Sequence, residues 1–302
     1  MIKVTLAGTG GTMPLKNRWL SSCMLFTEGH AILIDCGEGT QIALKLAGCK
    51  SKPIDTICIT HFHADHISGL PGLLLTMSNE GRVDPVTITG PVGLTRYVRA
   101  LCMIAPNLTF PVQCVEYDKE HPVVLSHKIE ITPFPVRHSV ACLGYRFELK
   151  RSGKFLPEKA RANQVPLKLW SSLQNGNTEI LDGKQYTPDM VLGEPRKGLT
   201  IVYATDTRPT DRITRHAEEA DLLICEGMFG SPEKLPRAKE SGHMLFSEAA
   251  AIASEARVKR LWLTHYSPSL EFPEEELSFA RSIFAVSECG FDGKSEELDF
   301  PE

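Results

Sequence analysis

Thr60-His61-Phe62-His63-Ala64-Asp65-His66 places three imidazoles and one carboxylate within six consecutive positions. The apolar run before it, residues 54–59, predicts a buried strand, and the Leu-rich run after it predicts a helix. His61 and His63 are two residues apart, so both rings lie on one side of an extended backbone. Asp65 and His66 then begin the helix. Imidazoles and a carboxylate at this density are typical of a site for zinc or a similar divalent metal.

One tetrahedral ion rarely takes all of its ligands from so short a run, so the stretch predicts two metal ions that share the cluster. A surface loop that is rich in histidine by chance is the alternative interpretation. The chain has only 10 histidines among 302 residues, and this spacing with an intervening Asp therefore favours the metal site.

The composition is that of an ordinary globular protein, with 42% apolar and 23% charged residues. The formal charge of −4 argues against a surface that is basic throughout and binds nucleic acid over its whole area, but it is compatible with a local basic patch. We expect neither a signal peptide nor a membrane span, because the chain opens on a strand and holds no run of ~20 apolar residues. The nine cysteines form no C-x-x-C pair, which predicts reduced thiols in a cytoplasmic protein.

Acidic and histidine residues recur where predicted strands end. Four apolar runs, 31–34, 199–204, 220–225 and 258–263, lead to Asp35, Asp206, Glu226 and His265. His138 ends another strand-like segment, and His243 precedes a predicted helix at 248–255. Because sites of α/β sheets assemble at strand ends, we expect these side chains to meet the 61–66 cluster. Asp35 is expected to accept a ring N–H from a ligand histidine, with a turn or helix-capping Asp as the alternative.

Residues 150–198 break this pattern of strands and helices. The segment carries nine Lys and Arg against five Asp and Glu, a local excess of positive charge, and interleaves Phe155, Trp170 and Tyr186. A long polar insertion of this kind indicates either a functional segment or a disordered one. Basic residues with intermittent aromatics suit a phosphate backbone, and a solvated surface excursion is the alternative.

These motifs resemble the metallo-β-lactamase superfamily and, within it, the ribonuclease Z family of tRNA 3′-end endonucleases. The H-x-H-x-D-H motif at 61–66 is specific to the superfamily. Further segments are similar to ribonuclease Z along nearly the whole chain: 35–41, 67–72, 206–209, 242–243 and 263–267. The resemblance implies an α/β fold, a four-layer αββα sandwich of the metallo-β-lactamase type. It implies a single domain over residues 1–302, with an arm inserted at 150–198 as a candidate exosite.

The resemblance also implies the ligands of two zinc ions, with manganese as the alternative metal. One ion would be held by His61, His63 and His138, and the other by Asp65, His66 and His265, with Asp206 bridging both. Two such ions about 3.5–4 Å apart can clamp the attacking and leaving oxygens of a phosphodiester displacement.

The remaining implied roles concern proton transfer and substrate binding. Asp65 doubles as proton acceptor, and Glu226 with His243 forms the pair that gives a proton to the departing 3′ oxygen. For His243, a helix-start histidine without chemistry is the alternative. The resemblance further implies precursor tRNA as substrate, a homodimer in which one subunit's arm serves the other's active site, and phosphate contacts by Lys16, Arg18 and Arg137.

The chain departs from the family pattern at the parts that would hold RNA. Cys225-Glu226-Gly227-Met228 stands in place of His-Glu-Ala-Thr, Met244-Leu245 follows His243, and Trp19 replaces an Asn. The arm lacks the Gly-Pro step typical of the family's tRNA-gripping exosite. These departures keep a second hypothesis open, a metallo-hydrolase of a small phosphodiester or ester. A third hypothesis is a metal-holding RNA-binding protein without turnover, and the complete set of candidate ligands and acids argues against it.

Overall fold

The computed structural model describes residues 1–117, 123–126 and 129–301. These residues form two compact units. The first comprises Met1–Glu148 and Thr200–Asp299, and the second comprises Leu149–Leu199 with Phe300 and Pro301. No helix in the described ranges is long and apolar enough to span a membrane.

Sixteen strands and eleven α-helices occur in the described residues. The strands are β1 Ile2–Gly8, β2 Ser22–Thr27, β3 His30–Ile34, β4 Ile54–Cys58, β5 Val86–Pro91, β6 Val112–Tyr117, β7 Val123–Ser126, β8 Ile129–Val136, β9 Cys142–Arg151, β10 Glu179–Leu181, β11 Lys184–Tyr186, β12 Arg196–Ala204, β13 Leu222–Glu226, β14 Leu261–Thr264, β15 Ser287–Cys289 and β16 Ser295–Leu298. The helices are α1 Thr40–Leu46, α2 Ala64–Ile67, α3 Leu70–Asn79, α4 Leu94–Cys102, α5 Pro157–Ala162, α6 Trp170–Gln174, α7 Asp211–His216, α8 Leu235–Ser241, α9 Phe246–Glu255, α10 Pro273–Glu276 and α11 Ser278–Arg281.

Two seven-stranded sheets carry the site. Their strand orders are β16-β1-β2-β3-β4-β5-β6 and β15-β14-β13-β12-β9-β8-β7. In the first sheet β3 to β6 are parallel, and in the second β12 to β15 are parallel. Among the parallel strands, β3, β4, β5, β13 and β14 are buried on both faces, which is why their sequences read as nearly continuous apolar runs. The sheets touch where the Tyr145 hydroxyl donates to the Ile59 carbonyl at 2.7 Å.

Helices cover the outer face of each sheet. α1, α3 and α4 pack with residues of β3, β4 and β5 in one apolar cluster, and α7, α9 and α11 pack with residues of β12, β13 and β14 in another. Val202 and Ala204 of β12 join the helical cluster, while the alternating residues Ile201 and Tyr203 are buried on the opposite face. This arrangement confirms the four-layer αββα sandwich expected from the sequence.

The second unit is a small folded body with its own core. It contains α5, α6 and the β10–β11 hairpin, and its buried residues include Ala160, Val165, Leu173 and Val191. The three aromatic residues that are interleaved with the basic charges of this segment are part of this core. Tyr186 is only 7% exposed, and Phe155 and Trp170 pack against the cluster with ring centroids 5.1 Å apart. Their apolar surface is therefore used mainly to hold this unit together.

A close approach of two backbones fixes the turn that carries the 61–66 motif. Gly69 N–H donates to the Cys36 carbonyl at 2.9 Å, and Cys36 N–H donates to the His66 carbonyl at 2.8 Å. A Cβ atom at Gly69 would lie 1.9 Å from the Gly37 carbonyl oxygen, so this crossing requires glycine. The end of β3 is thereby bonded directly to the α2 turn.

Candidate metal centre

The predicted ligands come from separate strand ends that lie at one edge of the two sheets. His61 and His63 follow β4, His138 follows β8, Asp206 follows β12 and His265 follows β14. Parallel register places the ends of β12, β13 and β14 side by side. The structure therefore brings all seven candidate ligands into two groups whose potential donor atoms lie within 4.8 Å of one another: His61, His63, His138 and Asp206 in one, and Asp65, His66 and His265 in the other.

The first group presents three ring nitrogens and one carboxylate oxygen to a common point. His61 Nε2 lies 2.9 Å from His63 Nδ1, and His138 Nε2 lies 3.4 Å from the same atom. Asp206 Oδ2 is 3.6 Å from His61 Nε2 and 3.9 Å from His138 Nε2. Ligand atoms of a tetrahedral zinc site, at 2.0–2.1 Å from the ion, lie roughly 3.3 Å apart. These residues fit a single metal ion.

The second group has the same spacing and faces the other oxygen of Asp206. His66 Nε2 is 3.2 Å from His265 Nε2 and 3.4 Å from Asp65 Oδ2. Asp206 Oδ1 lies 3.3 Å from His66 Nε2 and 3.1 Å from His265 Nε2. One carboxylate therefore offers one oxygen to each group, which is the arrangement of a bridging ligand.

Burial and mutual charge set the protonation of these side chains. Burial lowers the pKa of His61 to about 2, so its ring is neutral and can donate a lone pair to a metal. Burial also lowers the pKa of His66, but Asp206 and Asp35 outweigh it and hold that pKa well above the ordinary value. For Asp65 and Asp206, burial raises the pKa, and neighbouring histidines, chiefly His265 and His66, reverse the effect. Both carboxylates are thus ionised at neutral pH and favour a cation between them.

Asp35 forms a hydrogen bond to one candidate ligand histidine on the side away from the other candidate ligands. The buried Asp35 Oδ2 accepts the His66 Nδ1–H at 2.8 Å, and Thr60 donates its backbone N–H to Asp35 Oδ1 at 2.8 Å. This pairing directs His66 Nε2 toward the site. Asp35 has a φ of 60°, in the left-handed region that non-glycine residues rarely adopt, so the strand end is held in a strained conformation to make the contact.

Glu226 and His243 form a buried pair beside the ligands. His243 Nδ1 lies 3.2 Å from Glu226 Oε2, and its ring centroid is 5.2 Å from that of His138 and 5.4 Å from that of His265. Burial lowers the pKa of His243, but the Glu226 carboxylate outweighs it and raises the pKa to about 9. The Met244 N–H also donates to Glu226 Oε2 at 3.0 Å, which fixes the carboxylate. The imidazole is therefore protonated, and one of its ring nitrogens lies within 4.8 Å of a carboxylate oxygen of Asp206 and a ring nitrogen of His265.

A backbone donor at the site comes from the glycine-rich loop after β1. Thr12 N–H donates to Asp65 Oδ2 at 2.7 Å, with Thr12 at a φ of 70°. A Cβ atom at Gly11 would lie 2.6 Å from the His265 ring, so glycine is needed for the loop to pass this ligand. No sequence pattern predicts this contact, because a main-chain N–H leaves no side-chain signature.

An ion pair that no sequence pattern predicted connects three segments of the site. Arg208 Nη1 lies 2.8 Å from Glu248 Oε2 of α9, and Arg208 also donates to the His243 carbonyl. Its backbone N–H donates to the Arg137 carbonyl at 2.9 Å, next to His138. Glu248, in turn, accepts the Leu245 N–H at 2.9 Å. Glu248 lies three residues after Leu245, at the position where a carboxylate commonly caps a helix start.

The three basic residues suggested as phosphate contacts occupy different environments. Lys16 and Arg137 are exposed. Arg18 donates to the carbonyls of Leu270 and Glu271 at 2.7 and 2.8 Å and lies over the Tyr266 ring. Arg18 therefore fastens the glycine-rich loop to the segment after His265, and its role in binding substrate stays a prediction.

Several known proteins are similar to this chain over its whole length. A protein named Ribonuclease Z from Agathobacter rectalis is 53% identical over 302 residues, covering 100% of both chains. The chain belongs to the ribonuclease Z family. The Ribonuclease Z of Lachnoclostridium phytofermentans is 50% identical over 99% of each chain. Family models described as beta-lactamase superfamily domain and as anti-Pycsar protein Apyc1 match residues 190–266 and 2–97.

A solved structure, the short form of human tRNase Z, is similar over the whole chain. It superposes with a TM-score of 0.72 at 25% identity, covering 99% of this chain and 100% of that one. As a member of the ribonuclease Z family with the metallo-β-lactamase fold, the protein is a metal-dependent hydrolase, an endoribonuclease.

One departure from the ribonuclease Z pattern has a packing reason. A Cβ atom at Gly227 would lie 2.6 Å from the Phe246 ring, so the large side chain at 246 and the glycine at 227 fit together. Cys225 is likewise buried in the core with Phe246. Cys225 and Gly227 thus face the helix layer and leave the Glu226–His243 contact intact.

The contact between Asp35 and His66 predicts the metal affinity of an Asp35→Asn variant. An amide in place of the carboxylate holds the orientation of the His66 ring less firmly. We therefore expect the metal affinity to fall by about 10- to 100-fold. Titration of metal-free protein against a chelating dye measures this. Asp55→Asn is the matched control, since Asp55 pairs with His30 at 3.0 Å outside the site. An Asp35→Asn protein that is folded and binds metal as tightly as the Asp55→Asn control contradicts the orienting role.

Proposed function

We propose that the chain is a dinuclear metal-dependent endonuclease that removes the 3′ trailer from precursor tRNA and leaves a 3′-hydroxyl. The observation that carries the proposal is the carboxylate of Asp206, which faces His61 and His138 with one oxygen and His66 and His265 with the other. A metal-dependent endonuclease needs a proton acceptor and a proton donor beside its metals, and Asp65 and His243 occupy such positions.

Two zinc ions fit the donor set, with manganese as the alternative. His61, His63 and His138 would hold one ion, Asp65, His66 and His265 the other, and Asp206 both. Imidazole nitrogens are ligands that zinc prefers. When bound, such a pair supplies Lewis acidity for the phosphate and lowers the pKa of a water molecule toward neutrality.

Asp65 and His243 carry out the two proton transfers of the hydrolysis. The water oxygen forms a bond to phosphorus while the bond from phosphorus to the 3′ oxygen breaks. Asp65, ionised and held by the Thr12 N–H, accepts the proton of the attacking water. His243, kept protonated by Glu226, donates to the departing 3′ oxygen. The products are a 3′-hydroxyl and a 5′-phosphate.

Precursor tRNA is supported as the substrate by membership in the ribonuclease Z family and by the name tRNase Z of the human structure. The basic composition of the arm is consistent with RNA binding. Hydrolysis of a small phosphodiester is the competing function, favoured by the altered residues around Trp19 and in the arm.

The paired assay of precursor tRNA and bis(p-nitrophenyl) phosphate tests both the substrate and the proton donor. The p-nitrophenolate group departs without a proton, whereas the 3′ oxygen of a nucleoside needs one. We therefore expect His243→Ala to lower the cleavage rate of precursor tRNA by about 10²- to 10⁴-fold. Its loss on bis(p-nitrophenyl) phosphate should be far smaller.

Three outcomes contradict the proposal. Wild-type protein that hydrolyses bis(p-nitrophenyl) phosphate but leaves precursor tRNA intact establishes the small-substrate function. Equal losses on both substrates in His243→Ala remove the proton-donor role. Protein that binds RNA but cleaves neither substrate, with its metal content verified, supports the third hypothesis of binding without turnover.

We further propose that the second unit, predicted as the inserted arm, is an exosite for the tRNA body. Lys154, Lys168 and Lys184 are exposed in it. Reversal of these three charges to Glu should raise the KM for precursor tRNA at least tenfold and flatten its dependence on salt. The matched control reverses the exposed Lys45, Lys50 and Lys52 of the first unit. Equal effects of the two triple variants contradict an exosite.

The functional unit is proposed to be a homodimer in the cytoplasm. In the dimer one subunit's arm would serve the other's active site. All nine cysteines lie among the described residues and are free thiols, which suits a reducing compartment. Light scattering should give a mass twice the 33.4 kDa of the chain, and a monomeric mass for the active protein excludes the dimer.

A further inference from the structure

A cavity of about 320 Å³ opens directly beside the proposed proton donor. Its lining includes His243 and Thr12, and its apolar surface comes from Met13, Met228, Phe229 and Pro268. The volume lies at the small end of the range for small-molecule sites, about 300–1,000 Å³. None of the candidate metal ligands lines this cavity, so it is available to a part of the substrate other than the scissile phosphate.

The floor of the cavity is rigid and the rim is open. Met228 and Phe229 are 4% and 5% exposed. Their carbonyls accept the N–H groups of Ser267 and Phe246 at 3.1 and 2.9 Å, which fixes the backbone on both sides. At the rim, the exposed Arg237 of α8 lies over the Phe229 ring, with 5.7 Å from its guanidinium carbon to the ring centroid.

We propose that this cavity binds the nucleoside immediately 5′ of the scissile phosphate, with its base packed against Phe229 and Met228. The inference rests on the proposed endonuclease function. In that reaction the departing atom is the 3′ oxygen of the upstream nucleoside, and His243 delivers its proton. A 3′ oxygen placed at His243 therefore brings the sugar and base of that same nucleoside to the cavity that His243 lines.

The chemistry of the lining matches a nucleoside. The exposed part of the Phe229 ring, together with Met228, offers an aromatic and apolar surface that accepts any base, and the Arg237 guanidinium over that ring is a second stacking surface. The Arg237 charge also suits the phosphate on the 5′ side of the nucleoside. These residues act as a binding subsite that positions the 3′ oxygen.

A precursor tRNA with an abasic ribose at the nucleotide 5′ of the cut tests the subsite. Loss of the base should lower kcat/KM of the wild-type protein by roughly 5- to 150-fold, the range for a stacked base. Phe229→Leu keeps apolar volume but removes the flat ring, and it should lower kcat/KM for the intact substrate within the same range. In this variant, the further loss caused by the abasic ribose should shrink to less than twofold.

Control variants separate base binding from folding and from general charge effects. Arg237→Ala should weaken cleavage of the intact substrate more than the abasic one. Lys239→Ala removes an equal charge from the exposed side of the same helix and should leave both rates unchanged. Hydrolysis of bis(p-nitrophenyl) phosphate by Phe229→Leu reports whether the metal site is intact, and its loss should be smaller than the loss on intact precursor tRNA.

The results distinguish failure of this inference from failure of the proposed function. Wild-type protein that cleaves intact and abasic precursors equally well overturns the subsite alone. The subsite is likewise overturned if Phe229→Leu alters the effect of an abasic ribose only when that ribose lies on the 3′ side of the cut. Wild-type protein that cleaves neither precursor, yet hydrolyses bis(p-nitrophenyl) phosphate, instead overturns the endonuclease function.

Discussion

The carboxylate of Asp206 faces two groups of candidate metal ligands at once, and the surrounding structure holds those groups around it. Its Oδ1 lies 3.3 and 3.1 Å from the Nε2 atoms of His66 and His265, and its Oδ2 lies 3.6 Å from His61 Nε2. The residue is buried and has a φ of 56°. A buried charge in a strained backbone conformation is costly unless its neighbours compensate it. The imidazoles supply that compensation in the protein alone, and divalent ions would supply it in the loaded enzyme.

This constraint explains the other contacts around the site. Asp35 holds the far side of His66, the Thr12 N–H holds Asp65, and Arg208 ties the turn after Asp206 to the segments bearing His138 and His243. Each contact crosses between different strand ends. The four candidate ligands of the 61–66 motif meet within one turn of the first sheet, whereas His138, Asp206 and His265 follow strands of the second sheet. The complete set therefore assembles only when the two sheets are stacked with these strand ends together, which makes the candidate metal site a product of the whole αββα fold.

Much of the site could be predicted because its residues occur in local patterns. The 61–66 motif and the single acidic or histidine residue after each apolar run are visible in the sequence, since parallel buried strands are continuous apolar segments. β6 and β16 do not show this pattern, because they are edge strands with partly exposed or charged residues. The Thr12 N–H and the Arg208–Glu248 pair were missed because one is a main-chain group and the other joins residues far apart in sequence.

The second unit shows a different limit of sequence interpretation. Its aromatics, interleaved with basic residues, suggested a surface for a phosphate backbone, but Tyr186, Phe155 and Trp170 pack in a small core. Composition alone does not distinguish a ring that builds a core from a ring that binds a ligand, because both are apolar surfaces. Phe229 and Met228 show the opposite case. They lie within an apolar stretch that is typical of a core, but they line a cavity at His243.

The number of metal ions per chain tests the central role of Asp206 most directly. Native mass spectrometry of the metal-free protein, titrated with zinc and followed by hydrolysis of bis(p-nitrophenyl) phosphate, gives stoichiometry and activity on one sample. A carboxylate shared by two ions predicts two zinc ions per chain, with full activity only when both are bound, and the loss of at least one ion in Asp206→Ala. Full activity with a single ion per chain, or two ions still bound as tightly in Asp206→Ala, contradicts a bridging carboxylate.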